Sequence, residues 1–135
     1  MDFHGAIHDL NWGAILVAAL STFLIGGIWY KVFEKPWLAA NNVTRDDLKG
    51  RSMATIFGLA FLFSLFMAIN LALFIGTGGA AQGAMVGFHV GFGFIFLALG
   101  IIILFENRSL NYVLINGGYM VVAFVVMGAI IGAWH

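Results

Sequence analysis

The 135-residue chain has no cysteine, one proline and very little charge. The missing cysteine excludes thiolate metal sites, disulfides and thiol catalysis. The single proline, Pro36, stands outside every long apolar stretch, so none of them is interrupted by a helix breaker. Charged residues make up 9% of the chain, against roughly 25% in a soluble domain. So few charges cannot coat a water-soluble ball of this size, whereas lipid solvates the sides of a membrane protein without them. The net charge is zero and no basic patch suits a nucleic acid. The apolar stretches hold one histidine, His89, and no Asp or Glu. They therefore offer no buried metal site, no carboxylate relay and no nucleophile beside a base. No enzymatic activity and no cofactor are expected.

Hydrophobic residues, at 62%, are what the chain has in excess. They fall in four runs, residues 10–33, 53–75, 81–105 and 110–134. Each is long enough to cross a hydrocarbon core about 30 Å thick, which takes about 20 helical residues. The first run is too long for a secretory signal core, and no Lys or Arg precedes it. The expected fold is all-α: a single integral membrane domain of four transmembrane helices in two hairpins.

The six basic residues predict the orientation. Lys31, Lys35, Arg45, Lys49 and Arg51 lie at or in the first connection, and Arg108 lies in the third. A four-span chain places those connections on one side. Because basic residues are retained in the cytoplasm, both termini should face outward. Trp12 and Trp134 then mark the outer interface, and Trp29, Tyr30, Trp37 and Tyr112 the inner one.

Only the first connection, residues 34–52, has room for structure. Pro36 opens it. Thr44 followed by Asp47 reads as a capping box, which predicts a short helix over residues 45–49. Trp37 and Leu38 are expected to dip into lipid. Arg51-Ser52 before the second run and Arg108-Ser109 before the fourth form a faint repeat, with Ser52 and Ser109 as natural N-caps.

The stretches "NWGAILVAALSTFLIGGIWY" from Asn11 and "FENRSLNYVLINGGYMVVAFVVMGAIIGAW" from Phe105 resemble the two ends of the domain of unknown function 1761 family. "DDLKG" from Asp46 resembles the segment between that family's first two spans. The sequence departs from the pattern where Lys31-Val32 follow the Trp-Tyr pair in place of Ser-Pro, and where Met120 replaces a frequent His. If that His has a role in relatives, it is absent here or has moved to His89. The resemblance implies a small bacterial multi-span membrane protein, placed in the inner membrane, and brings no activity with it.

Within the spans, Gly79, Gly83, Gly87 and Gly91 recur every four residues and form a groove without side chains; Gly128 and Gly132 repeat the spacing. Such ridges let helix backbones approach closely. The partner is open: the first span, the fourth, or a second copy.

His89 lies off that ridge, on a face shared with Gln82, Met85, Gly93, Phe96 and Gly100 at 100° per residue. An ionisable residue at membrane depth is either functional or a satisfied structural group. Its expected partner is Asn70, across the hairpin between the second and third spans. Asn116 and Tyr119 share one face of the fourth span. With Ser21, Thr22, Thr55 and Ser64 they either glue helices together or line a narrow path.

His4 and His8, four residues apart, are weak metal candidates. His135 lies at the opposite terminus. The partners expected are the bilayer and either further copies or a larger membrane complex. The leading functional expectation is an interaction role, as homo-oligomer or accessory subunit. The alternative is an oligomeric channel or transporter for a small molecule or ion, with His89 near the outer mouth.

Overall fold

The structure, a computed structural model, describes residues 3–76 and 78–134. It is all-helical, with no strand among the described residues. A short helix α1 (Phe3–His8) precedes the first span, α2 (Trp12–Val32). A second short helix, α3 (Glu34–Ala40), and a 3-10 turn (Asp46–Leu48) fill the first connection. The second span is α4 (Met53–Ile75). The third runs through α5 (Ala80–Val90), a π-helical turn (Gly91–Phe96) and α6 (Leu97–Glu106), and the fourth is α7 (Leu110–Ala133). Among the described residues, four helices are long and apolar enough to cross a membrane. Their bounds lie within two residues of the four apolar runs.

Local chemistry accounts for the ends. Asn11, Ser52 and Ser109 each accept a backbone N–H with the side-chain oxygen, from Ala14, Thr55 and Asn111. Asn11 also donates from Nδ2 to the Trp134 carbonyl at 3.1 Å, joining the start of α2 to the end of α7. At the end of α6, Asn107 adopts the left-handed conformation, and the Arg108 amide reaches back to the Ile103 carbonyl at 3.1 Å.

The first connection differs from expectation. Pro36 does not open a loop; it sits in the first turn of α3, where its missing N–H has no intrahelical role. It could not have stayed in a continuous α2, because its ring would strike the Val32 carbonyl. The chain bends at Phe33 instead. The Thr44–Asp47 box forms, with the Thr44 amide donating to Asp47 Oδ2 at 2.8 Å and the Asp47 amide to Thr44 Oγ1 at 3.3 Å. It starts only a 3-10 turn.

The bundle is organised around α7, which packs against α2, α3, α4 and the whole third span. Although Ser52 and Ser109 cap alike, α7 is the most enclosed span and α4 is peripheral, so the two halves are not packed alike. The interior is built from small and aliphatic residues: Ala14, Ile15, Ala18, Ala68, Leu71 and Met127 are buried. Phe124 is buried with them, but many other large side chains point outward; Phe105 is 89% exposed and Phe94 70%. In lipid an exposed Phe costs nothing, and close van der Waals contact between helices supplies the stabilisation.

The glycine ridge supplies the closest of these contacts. Its partner is the fourth span. A Cβ on Gly83 would meet the Gly128 carbonyl, and one on Gly87 the Phe124 carbonyl; one on Gly91 would come within 2.9 Å of Val121 Cα. Gly128 and Gly132 would strike the carbonyls of Gly83 and Gly79 in return. Gly79 contributes differently, through its carbonyl and a φ of +91°.

Beyond Gly91 the four-residue spacing stops. Five residues on, Phe96 lies against Gly117 of α7, while Ile95 packs against the core cluster. That five-residue step is the π turn, whose i→i+5 bonding widens the helix by one residue. Phe96 therefore does not share the outward face of His89, as uniform α-helical phase predicts; the π turn carries it round to α7.

Candidate functional site

At the end of the bundle where the basic connections meet, α2 and α7 are joined by polar bonds to one short segment of α7, Ile115-Asn116-Gly117-Gly118-Tyr119. Tyr30 Oη donates to Asn116 Oδ1 at 2.7 Å. Trp29 Nε1 donates to the Ile115 carbonyl at 2.9 Å. Tyr119 Oη donates to the Thr22 carbonyl at 2.9 Å. The glycines between them make room: Gly118 lies under the Trp29 ring and Gly117 under Phe96. Gly26 of α2 faces the Tyr119 hydroxyl. Trp29 and Tyr30 are thus bonded to α7 at this end of the bundle. No local signal in the sequence announces these bonds to α7.

The other polar groups at membrane depth bond within their own helices. Ser21 and Thr22 donate to the Ala18 carbonyl, Ser64 to Ala60, and Asn116 Nδ2 to Tyr112. Among the described residues no buried side-chain polar atom lacks a partner.

The expected His89–Asn70 bond is not formed. His89 Nδ1 engages the Met85 carbonyl at 2.8 Å, and Asn70 Nδ2 donates to the Phe66 carbonyl at 2.8 Å. Both residues are exposed on the bundle's outside. The backbone carbonyl one turn back is always within reach, so each side chain is satisfied locally before it meets a neighbour. Gln82, also exposed, folds back over Gly78 at the start of α5. At the N-terminal end, His4 and His8 stand with ring centroids 6.1 Å apart, edge to face. No group of three potential metal ligands occurs among the described residues.

Several open cavities follow from this packing. One of about 520 Å³ lies at the basic end, lined by Tyr30, Lys31, Glu34, Arg45, Arg51 and Asn116 among others. Trp37 and Leu38 also line it, and Trp37 packs edge-on against Tyr30. A second, of about 360 Å³, runs between α2 and α4 and shares Tyr30, Ile56 and Phe57 with the first.

The first connection closes over this region through a bidentate ion pair. Arg45 Nε and Nη2 both bond Glu34 at 2.5 Å. The Arg45 hydrogen bonds hold the Glu34 carboxyl below its ordinary pKa, against a smaller opposing effect of desolvation. Elsewhere Lys49 pairs with Asp46, and Arg108 pairs with Glu106 while stacking over Tyr112. Lys35 is exposed.

Residues 13–132 match the family described as protein of unknown function (DUF1761). The chain belongs to this family. Nothing among curated proteins or solved structures matches it. In this DUF1761 member, the residues that carried the resemblance are the ones that interlock: Trp29 and Tyr30 close the first matching stretch, and Asn116 to Tyr119 lie within the last.

Proposed function

We propose that this membrane protein works by association, through the outward face of the third span, and that its partner is a second copy of itself. One observation carries the reading. His89 is exposed at membrane depth, on the side of α5 turned away from α7, with Gln82, Met85 and Gly93 also exposed. A carbonyl only accepts, so the bond to Met85 makes Nδ1 the donor and leaves Nε2 as an outward acceptor. An imidazole facing hydrocarbon is costly, and a partner helix relieves that cost. Gly93 has open space around it, as a close helix approach requires. The third span is also the least enclosed of the four.

The test uses the absence of native cysteine. In native membranes, single cysteines at Met85 or Gly93 should give disulfide-linked dimers, and one at Phe63 of α4 should not. His89→Leu should weaken the dimer in mild detergent. A monomer without cross-links at either position overturns the reading; a different protein cross-linked there would make the chain an accessory subunit.

The setting proposed is the bacterial plasma membrane with both termini outside, supported by the clustering of basic residues at one end. A cysteine at Asp2 or His135, both outside the described residues, should react with an impermeant thiol reagent from the periplasmic side. One at Asn42 should not, and the reverse pattern would invert the topology.

A further inference from the structure

The two adjoining cavities at the basic end, which share Tyr30, Ile56 and Phe57, have a graded chemistry. The mouth is lined by Lys31, Arg45 and Arg51, with Glu34 as the one carboxylate. Arg45 already occupies that carboxylate with both nitrogens. Among the described residues no carboxylate pairs with Lys31 or Arg51. Arg51 meets only the Leu48 carbonyl, at 3.3 Å. The mouth therefore keeps two positive charges that its own walls leave unneutralised. Tyr30 lines both cavities. The second cavity is otherwise lined by Phe23, Gly26, Gly27, Ile56, Phe57, Ala60 and Tyr119, whose hydroxyl is taken up by the Thr22 carbonyl, so its wall is mainly apolar. From Tyr30 back to Phe23 is seven residues of α2, or about 10 Å along the helix. Gly27 has open space where a side chain would stand, and Phe57 is 54% exposed, so the groove opens sideways.

A cationic mouth leading into a lateral apolar groove between two membrane-crossing helices fits a molecule with an anionic head and a hydrocarbon tail. We propose that this cleft holds an anionic phospholipid, its phosphate between Lys31 and Arg51 and one acyl chain lying in the α2–α4 groove past Tyr30 and Phe57. A free anion would use the mouth and leave the groove empty. A zwitterionic lipid would fill the groove but leave the two charges less well matched. The site is independent of the outward face of the third span.

The experiment uses the full chain in mild detergent, with native mass spectrometry and thermal unfolding as readouts. The probes are phosphatidylglycerol, phosphatidylcholine with the same acyl chains, glycerol 3-phosphate and inorganic phosphate. Phosphatidylglycerol should be retained and should raise the unfolding temperature, and the other three should do neither at equal concentration. The double variant Lys31→Gln, Arg51→Gln should bind phosphatidylglycerol about 30-fold more weakly, taking each cation at the strength of a basic residue facing an anionic leaflet. Lys35→Gln with Lys49→Gln, which removes equal charge outside the cleft, should leave binding unchanged. Gly27→Leu should weaken lipid binding by filling the groove, while unfolding without lipid stays as in the parent chain. Equal retention of phosphatidylcholine, equal stabilisation by either soluble phosphate, or undiminished binding in the double variant would each overturn the proposal.

Discussion

Gly83 and Gly128 block each other's side-chain positions: a Cβ on either would meet the carbonyl oxygen of the other. The third and fourth spans therefore touch backbone to backbone, without side chains between them. Neither carbonyl can yield without moving a whole helix. Gly87→Leu or Gly128→Leu should accordingly destabilise the fold by about 3 kcal/mol or more, at the upper end of overpacking costs. Gly100→Leu, where nothing lies within 4 Å of the added Cβ, should stay within about 0.5 kcal/mol. Thermal unfolding in one detergent compares them; equal effects at Gly87 and Gly100 would mean that the ridge faces lipid.

The Tyr30–Asn116 bond should contribute little by itself. Interhelical side-chain bonds in membranes average about 0.6 kcal/mol, so Tyr30→Phe should cost about that much. Trp29→Ala removes a large ring that Gly118 is shaped to receive and should cost about 3 kcal/mol or more. A double-mutant cycle on Tyr30→Phe and Asn116→Leu should return a coupling close to the Tyr30→Phe cost. A coupling near zero would show that the hydroxyl finds another partner.

The Glu34–Arg45 pair gives the first connection an acid limit. Glu34 has a lowered pKa in the folded chain. Its contribution is complete above the ordinary Glu value of about 4.3 and is lost as pH falls through the lower folded value. Hydrogen exchange of residues 34–49, corrected for intrinsic rates, should be level from neutrality to about pH 5 and rise below pH 4.3. Glu34→Gln should abolish that dependence. Because the pair is exposed, the effect should also shrink in high salt.

The architecture was legible because its signal is coarse. Four apolar runs, each long enough to span, admit few alternatives in lipid, and Ser52 and Ser109 announce helix starts. The glycine spacing announced a close contact, though only the fold could say with which helix. Finer placements depended on competition between near neighbours. His89 and Asn70 were matched across a hairpin, yet each had a carbonyl four residues back. Pro36 reads as a loop residue or as a first-turn residue, and the bend at Phe33 decides between them. Trp29 and Tyr30 sit where interface anchors sit, and only the fold shows that one ring lies over Gly118 and the other hydroxyl bonds Asn116.

The π turn at Gly91–Phe96 sets the phase of the third span. It lets the two halves of one continuous helix choose their faces separately: Ala80–Val90 presents glycine to α7 and His89 to the outside, and Leu97–Glu106 is rotated to suit Phe96 and Ile103. Deleting one residue there would turn one half by about 100° relative to the other. Either the glycine contact or the Phe96 contact would then be lost. The turn thus behaves as a clutch between two registers, so substitutions on the outward face of one half need not disturb how the other half is seated.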